Sequence, residues 1–402
     1  MKINQIVPVK FVNTPTGIKE TGYTSILIAT NLELNKDTQV NTAYNFSNLE
    51  EVKAKTTDSA AEAAQDVLAA AELYFLNGGG KLKIFVVDAG ESGANLSNPI
   101  SFIESLLASR EYFDVCMFTH SRSTVNSVIT SNNIASLANA LKVEGKMFAH
   151  TVNENEYDDF KAAVSLDFAH LSFATALTQS NNLKNRYMFL ALSAPFGQIN
   201  RSSTNDSTIN VNYLNPIGLS KNTDITSEML TKIETSKTLH VDTTEIGGQQ
   251  TSVFFNGNSQ SDGKTLTEVL INTLALQKSL QIAGFSLLNN SANKLKYNAI
   301  GFTRVARAAQ QVLMRYSGAG GKGNGSLSPL SADQIDANDT LKALQSDQQS
   351  TLLQYGFAII TIPSSFNPSD DEKADQRFPE ISIIINPSVG VNMIQFAIST
   401  QL

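Results

Sequence analysis

Gly263, Lys264 and Thr265 form the part of this sequence that comes closest to a phosphate-binding site. They follow a predicted strand at residues 251–255 and stand where a helix is predicted to begin, which is the setting in which backbone amides hold the phosphates of a nucleotide. The motif also requires a glycine five residues before its second glycine, and Asn258 stands at that position. A nucleotide-binding enzyme is kept as an alternative, beside an ordinary turn between a strand and a helix.

A second glycine-rich segment, residues 318–323, has the letters of a dinucleotide-binding fingerprint. It follows a predicted helix, whereas the fingerprint works only where a strand leads into a helix whose N-terminus faces the pyrophosphate. Residues 318–325 are therefore predicted to form a mobile linker.

Metal-binding and nucleophilic residues are sparse in this sequence. The single cysteine, Cys116, lies in an apolar run and is predicted to belong to the core. No histidine has a second histidine three or four residues away, and no Gly-x-Ser-x-Gly motif occurs. The sequence therefore predicts no catalytic, cofactor-binding or metal site, and a protein that is not an enzyme. The four histidines are His120, His150, His170 and His240.

The composition indicates a globular protein with a largely uncharged polar exterior. A chain of 402 residues with 42% hydrophobic content can build a sizeable core in two or three domains. Only 17% of the residues are charged, against about 25% in typical soluble domains, which suits surfaces that pack against neighbours. No apolar run reaches the roughly eighteen residues of a membrane helix, so no membrane insertion is expected and folding in a cytoplasm is the default.

The net charge of −7 is unevenly distributed along the chain. Between Glu268 and Asp333 lie 64 residues without an acidic side chain and with seven lysines and arginines, which leaves −14 for the remainder. This asymmetry indicates that one face of the protein meets an acidic partner.

A predicted helix at residues 299–316 places arginines along one edge. At about 100° per residue, Arg304, Arg307, Gln311 and Arg315 fall within roughly a quarter turn, beside an apolar arc. An acidic protein surface is the favoured partner of this edge. Two alternatives remain, namely nucleic acid, which the overall acidity and the lack of a recognised module disfavour, and a solvated helix without a partner.

The segment at residues 21–196 alternates predicted strands with predicted helices. Such alternation indicates a doubly wound α/β domain, whose mainly parallel sheet is covered on both faces. Capping boxes at residues 47–50 and 59–62 and glycines at residues 78–80 mark helix ends. The predicted strands are residues 23–30, 82–87, 113–118, 146–151 and 187–192, and the predicted helices include one that begins at residue 98 and others at residues 133–141 and 157–164.

Two further regions follow this domain. Residues 197–237 are rich in Asn, Ser and Thr and are predicted to be a polar loop or small excursion. Residues 238–380 are predicted to form a second, α+β domain. Its predicted strands are residues 239–243, 252–255 and 357–362, and its long helices are residues 266–283 and 299–316.

The N-terminal segment, residues 1–20, is predicted to be a strand-forming arm. Val7, Val9 and Phe11 alternate with other residues, one of which is Pro8, and a proline is tolerated in a strand only where one side of the ladder is unpaired.

The C-terminal segment, residues 381–402, carries no charged side chain, and it is interrupted by Pro387 and Gly390. An uncharged run that includes Ile394, Phe396 and Ile398 needs a sheet to lie in. Two such arms favour strand addition to other copies of the chain, and the alternative is that both arms pair within their own chain.

The order of these features extends over nearly the whole chain and resembles that of contractile phage tail sheath proteins, including those of myophages. The segments that carry the resemblance are residues 22–23, the helix end at 72–79 before the strand at 82–87, residues 192–197, the turn at 262–263 before a long helix, residues 355–357 before a strand, and the uncharged terminal strands.

The resemblance implies a structural subunit of a virion tail, assembled in the host cytoplasm, that polymerises helically around a tail tube and contracts to drive the tube into the host. The arm residues Val7, Val9, Phe11, Ile394, Phe396 and Ile398 would complete a small sheet in a neighbouring subunit.

The same resemblance implies that residues 238–380 form the inner domain, with Arg304, Arg307 and Arg315 facing the tube. Its partners would be further copies of the chain, the tail tube protein, and the baseplate and tail terminator proteins, without direct nucleic acid contact or a cofactor. The rival interpretations are the nucleotide-binding enzyme and a plain soluble α/β binding protein.

Overall fold

The computed structural model describes residues 24–35, 37–56, 61–90, 98–119, 136–138, 140–141, 144, 146–152, 175–177, 183–199, 211, 214–219, 226–236, 239–246, 248–255, 267–289, 295–318, 325–361, 365–369 and 378–388. Within these ranges, no helix combines the length and the apolar character that a bilayer crossing needs.

A five-stranded sheet organises the first part of the chain. Its strands are β1 (Ser25–Thr30), β2 (Thr42–Phe46), β3 (Leu82–Val87), β4 (Val115–Phe118) and β5 (Met147–Phe148), in the order β2-β3-β1-β4-β5. All pairs are parallel except that of the edge strand β2 with β3. β1 is buried at every position, as expected for a central strand covered on both faces. The predicted α/β class with a sheet rich in parallel pairs is confirmed.

Apolar side chains pack on both faces of this sheet. One face bears the helices α1 (Leu49–Thr56) and α2 (Ala61–Leu76) and the later helix α4 (Met188–Gln198). The other face bears α3 (Pro99–Ala108) and the helical residues at 136–141 that the structure describes. Alternation along β1 divides its residues between the two cores, with Leu27 in the first and Ile26 and Ile28 in the second.

The predicted strand at residues 187–192 is wrong, because a 3₁₀ turn at Leu183–Tyr187 leads into helix α4 there. A uniformly apolar run has no period that separates a buried strand from a buried helix. Two signals favoured the helix, namely the length of the run and the absence of β-branched residues from residues 188–192.

The N-cap of α1 lies one residue later than the capping box predicted at residues 47–50 places it. Asn48 caps α1, since its Oδ1 accepts a hydrogen bond from Glu51 N at 3.0 Å, and Glu51 Oε2 accepts one from Ser47 N at 2.7 Å. Asparagine competes well with serine as an N-cap, which explains the shift. Residues 59–60 of the second predicted box and the predicted helix at 157–164 lie outside the described residues.

Residues 197–237, predicted to be a polar loop or excursion, contain the helix α5 (Ser227–Ser236), which buries Ile233 against the second core. An antiparallel hairpin of β8 (His240–Ile246) and β9 (Gln249–Phe255) follows. A separate parallel pair joins β6 (His150–Val152) to β7 (Thr175–Leu177).

The last part of the chain is layered. Helices α6 (Thr267–Leu288) and α7 (Ala299–Tyr316) pack together on one face of an antiparallel ribbon made of β10 (Phe357–Ile359) and β11 (Ile383–Ile385). Short helices cover the other face, to which Ala358 and Ile384 point. They are α8 (Ala332–Asp336), α9 (Asp339–Lys342) and α10 (Ser346–Tyr355).

Candidate assembly surfaces

Helix α7 has one buried and one exposed side, as its sequence pattern predicts. Arg307 is exposed, and Arg304 and Arg315 are half-buried beside it. Ile300 lies on the same side and is 72% exposed, which is the largest exposure among the exposed large apolar residues that the structure describes. The opposite side consists of Phe302, Ala306, Val312, Leu313 and Tyr316, all of them buried.

The first turn of α7 is fixed by local contacts. Asn298 caps the helix, because its Oδ1 accepts a hydrogen bond from Gly301 N at 3.0 Å. Position 301 requires glycine, since a Cβ atom there would lie 1.7 Å from the carbonyl oxygen of Lys296. The direction of the arginine-bearing helix is therefore set by the backbone around residues 296–301.

Four aromatic rings pack together at the N-terminal end of α7. The ring of Phe302 stacks on that of Phe378 with centroids 5.3 Å apart, and the ring of Phe366 contacts both. The ring of Tyr297 contacts those of Phe366 and Phe378. Such ring pairs stabilise a structure beyond the apolar area that they bury. The cluster joins residues 365–369 and 378–380 to the start of α7.

The two outer layers of this region carry opposite charge. The layer of α7 exposes arginine, whereas the layer of α8 to α10 exposes Asp333, Asp336, Asp339 and Asp347. The ribbon lies between them, because Phe357 and Ile359 face the α7 side while Ala358 faces the other. The basic and acidic surfaces therefore point in opposite directions.

The β10–β11 ribbon is two strands wide among the described residues. Ala358 and Ile384 are opposite each other in its ladder, and Asn386 N donates to Gly356 O at 2.7 Å at one end. Gln348 Nε2 donates to Ile359 O at 3.3 Å, which satisfies one carbonyl of the outer edge of β10. A two-stranded ribbon is a short sheet that can accept further strands along its edges.

Of the two predicted arms, the structure describes residues 381–388. Val7, Val9 and Phe11, like Ile394, Phe396 and Ile398, lie outside the described residues. Only the start of the C-terminal segment is described, and there Ile383–Ile385 pairs with Phe357–Ile359 of its own chain.

A polar cluster lies at the N-terminal end of the parallel sheet. Thr24 N donates to Asp114 Oδ2 and Tyr112 Oη to Asp114 Oδ1, each at 2.7 Å. From α6, Lys278 Nζ donates to Tyr112 Oη and lies over the same ring, 4.1 Å from its centroid. Lys278 and Asp114 are 6% and 7% exposed. We call Thr24, Tyr112, Asp114 and Lys278 the Tyr112 junction.

Lys146 lies next to this junction. Its Nζ donates to Phe113 O at 2.8 Å and lies 3.8 Å from the centroid of the Phe113 ring. Burial lowers the pKa of Lys146 to about 8, although the nearby Asp114 carboxylate opposes that shift.

The opposite, C-terminal end of the sheet is where α/β proteins bind ligands, in the crevice at which the strand order reverses. Here Glu33 occupies the space between the ends of β1 and β4. Its Oε2 accepts hydrogen bonds from Thr30 N and Thr119 Oγ1, each at 2.7 Å. Glu33 is fully buried, and this burial raises its pKa to about 7. The protein's own carboxyl group thus lies at this position.

Gly263, Lys264 and Thr265 lie outside the described residues. Cys116 is in the core, as predicted, and burial raises the pKa of its thiol. Within the part of the chain that the structure describes, no group of three His, Cys, Asp or Glu side chains could hold a metal ion.

Sequence reasoning missed the Tyr112 junction. Lys278 stood out only as one of the basic residues between Glu268 and Asp333, and Tyr112 precedes a predicted strand 166 residues earlier. A lysine within a helix that is apolar on most sides was the available signal, because such a cation needs a buried partner.

The comparisons with known proteins point to one fold. No protein-family model and no curated protein matches the chain. Its structure resembles that of the contracted helical sheath of the anti-feeding prophage, with a TM-score of 0.62 and 12% identity, over 97% of this chain and 98% of that one. A chain in the six-fold-symmetrised baseplate of the same particle gives 0.61 at 10% identity, over 97% and 100% of the two chains. A chain in its contracted baseplate gives 0.56 at 12% identity, over 97% and 96%.

At this level of identity the likeness is one of fold. It covers nearly the whole of both chains, so the two main parts of the structure are matched together. The predicted resemblance to contractile tail sheath proteins is thereby confirmed, and the chain is tail sheath-like in its fold.

Proposed function

We propose that this chain, which has the fold of contractile sheath proteins, is a structural subunit of a contractile phage tail sheath. The subunits polymerise helically around a tail tube and change their packing on contraction, which drives the tube into the host. The observation that carries the proposal is the match to a contracted sheath over 97% of this chain. The exposed surfaces of opposite charge on the two sides of the layered region support it, because heterologous contacts that do not close build helical filaments.

Strand addition joins the subunits in this proposal. The donors are the arm residues Val7, Val9, Phe11, Ile394, Phe396 and Ile398, and the acceptor is the β10–β11 ribbon of a neighbouring copy. The ribbon supports this assignment because it is covered on both faces and is only two strands wide among the described residues. Backbone ladders shared between chains hold subunits together while the remaining contacts change.

The basic side of α7 faces the tube in this proposal, with Arg304, Arg307 and Arg315 as its contacts. Its support is the exposure of Arg307 and Ile300 on one side of a helix whose other side is buried. An exposed apolar residue beside arginines is typical of the centre of a protein contact. The doubly wound first domain at residues 21–196 and the polar excursion at residues 197–237 then lie outside the inner domain, residues 238–380, and the C-terminal arm is residues 381–402.

The other partners are the baseplate and tail terminator proteins, without direct contact to nucleic acid and without membrane insertion. The chain works in the virion tail, is assembled in the host cytoplasm, and consumes no nucleotide, so it is not an enzyme.

Removal of the C-terminal arm tests the assembly mechanism. A chain that ends at residue 393 is expected to remain folded and monomeric, whereas the full chain forms tubes or rings visible by negative-stain electron microscopy. Phe396→Asp is expected to act like the truncation, and Gln395→Asp, on the other face of the same predicted strand, is the matched control that keeps assembly. Long filaments of the truncated chain would refute strand addition by this arm.

A further inference from the structure

The Tyr112 junction holds the point at which the N-terminal segment joins the sheet. Thr24 is the residue before β1, and Asp114 forms hydrogen bonds with both its backbone amide and its carbonyl group. The Asp114 carboxylate accepts from Thr24 N, and Asp114 N donates to Thr24 O, each at 2.7 Å. The direction in which the chain enters β1 is therefore set by one aspartate as much as by the strand ladder.

Asp114 is in turn connected to α6, a helix of the layered region. Tyr112 Oη donates to Asp114 Oδ1 and accepts from Lys278 Nζ of α6. A buried lysine is stabilised only by close partners, and the Tyr112 ring face and hydroxyl supply two of them. The hydrogen bonds thus run from α6 to Thr24 through two side chains.

Helix α6 itself belongs to two cores. Ile271 and Leu274, in its first half, pack in the core of the five-stranded sheet, and Leu276 packs with α7 and the ribbon. Lys278 lies close to the change from one core to the other. A contact at this position reaches both parts of the molecule.

We propose that Asp114, Tyr112 and Lys278 are positioning residues that fix the root of the N-terminal segment and couple it to α6. Resting on the proposed function, the consequence is that tension on the N-terminal arm passes through Thr24 into both parts of the subunit, which then move together. The coupling itself is a property of the single chain, so it can be measured without assembly.

Hydrogen exchange on the full-length, unassembled protein tests the coupling. Lys278→Met, which keeps the length of the side chain but not its charge, is expected to raise amide exchange at residues 24–26 about fivefold. Tyr112→Phe, which keeps the ring and removes the hydroxyl, is expected to do the same. Asp114→Asn is expected to raise exchange at residues 24–26 and, reciprocally, in the middle of α6.

The matched control is Tyr187→Phe, because Tyr187 Oη also donates to a buried aspartate, Asp66, at another place in the fold. It is expected to leave exchange at residues 24–26 within twofold of wild type. The proposal is overturned if Lys278→Met and Tyr112→Phe leave that exchange unchanged, or if Tyr187→Phe raises it equally. Filament formation by the chain that ends at residue 393 would refute strand addition by the C-terminal arm, and it would not change the expected hydrogen-exchange result.

Discussion

Two buried side chains in this protein have shifted pKa values like those of catalytic residues, but their contacts are structural. Glu33 has the burial, the raised pKa and the position between strand ends that are typical of a catalytic acid, yet its Oε2 is engaged by Thr30 and Thr119 of the same sheet. Lys146 has the lowered pKa of a catalytic lysine but binds a backbone carbonyl. The shifted pKa values of Glu33 and Lys146 therefore follow from tight packing around the ends of strands.

Glu33 makes stability depend on pH. Its pKa in the folded protein is raised from 4.5 to about 7, so the stability due to its protonated form is complete below about pH 4.5 and is lost as the pH rises through 7. The shift corresponds to about 3 kcal/mol. Urea unfolding of the wild type and of Glu33→Gln at pH 5 and pH 7.5 is expected to show a fall in stability that the variant lacks. An equal fall in both proteins would contradict this role of Glu33.

Such residues could not be found from the sequence. A polar group becomes buried when tertiary contacts place it between elements, and those contacts join residues far apart, as with Glu33 and Thr119 or Tyr112 and Lys278. The sequence did predict that Cys116 is core, because its neighbours are uniformly apolar.

At the scale of elements, periodic patterns were the best guide. The helix at residues 299–316 was predicted with its bounds, and its buried side in part, because its apolar residues recur at the helical period. Val312, Leu313 and Tyr316 are buried as predicted, whereas Val305 and Ala309 are only half-buried. The parallel-rich sheet was predicted from the alternation of strand patterns with helix patterns along the chain. The strand predicted at residues 187–192 is wrong. That run is apolar at every position because the helix is buried on all sides, so its sequence has no period that distinguishes a helix from a strand.

The exposed side of α7 is the element for which the proposal makes a quantitative prediction. Reversing two charges, with Arg304→Glu and Arg307→Glu together, is expected to lower the binding of subunits to purified tail tubes at least about tenfold, or about 1.4 kcal/mol. Co-sedimentation with tubes at low and moderate salt measures the loss, and filaments without a tube should still form.

The matched control for this variant is Lys342→Glu, a charge reversal on exposed α9 in the opposite layer. It is expected to bind tubes like the wild type. Equal tube binding by the α7 variant and the wild type would exclude α7 as the tube-facing side.

The whole molecule joins its parts through a few shared features. Helix α6 contributes to the core of the sheet and to that of the layered region. Near the middle of α6, the Tyr112 junction connects this helix to the sheet. A helix shared in this way makes one body of two cores, which suits a subunit that changes its packing against neighbours while its own fold persists. The order of elements allowed this fold to be predicted from the sequence, although the packing between its parts could not be.

The most direct test of strand addition between subunits is a cryo-EM reconstruction of the assembled filament at a resolution that traces the chain. We expect residues 7–11 and 394–398 of one subunit to pair with the edges of Phe357–Ile359 and Ile383–Ile385 in neighbouring subunits. If both segments instead pair with the sheet of their own chain throughout the filament, strand addition does not join the subunits and the proposed assembly mechanism is wrong.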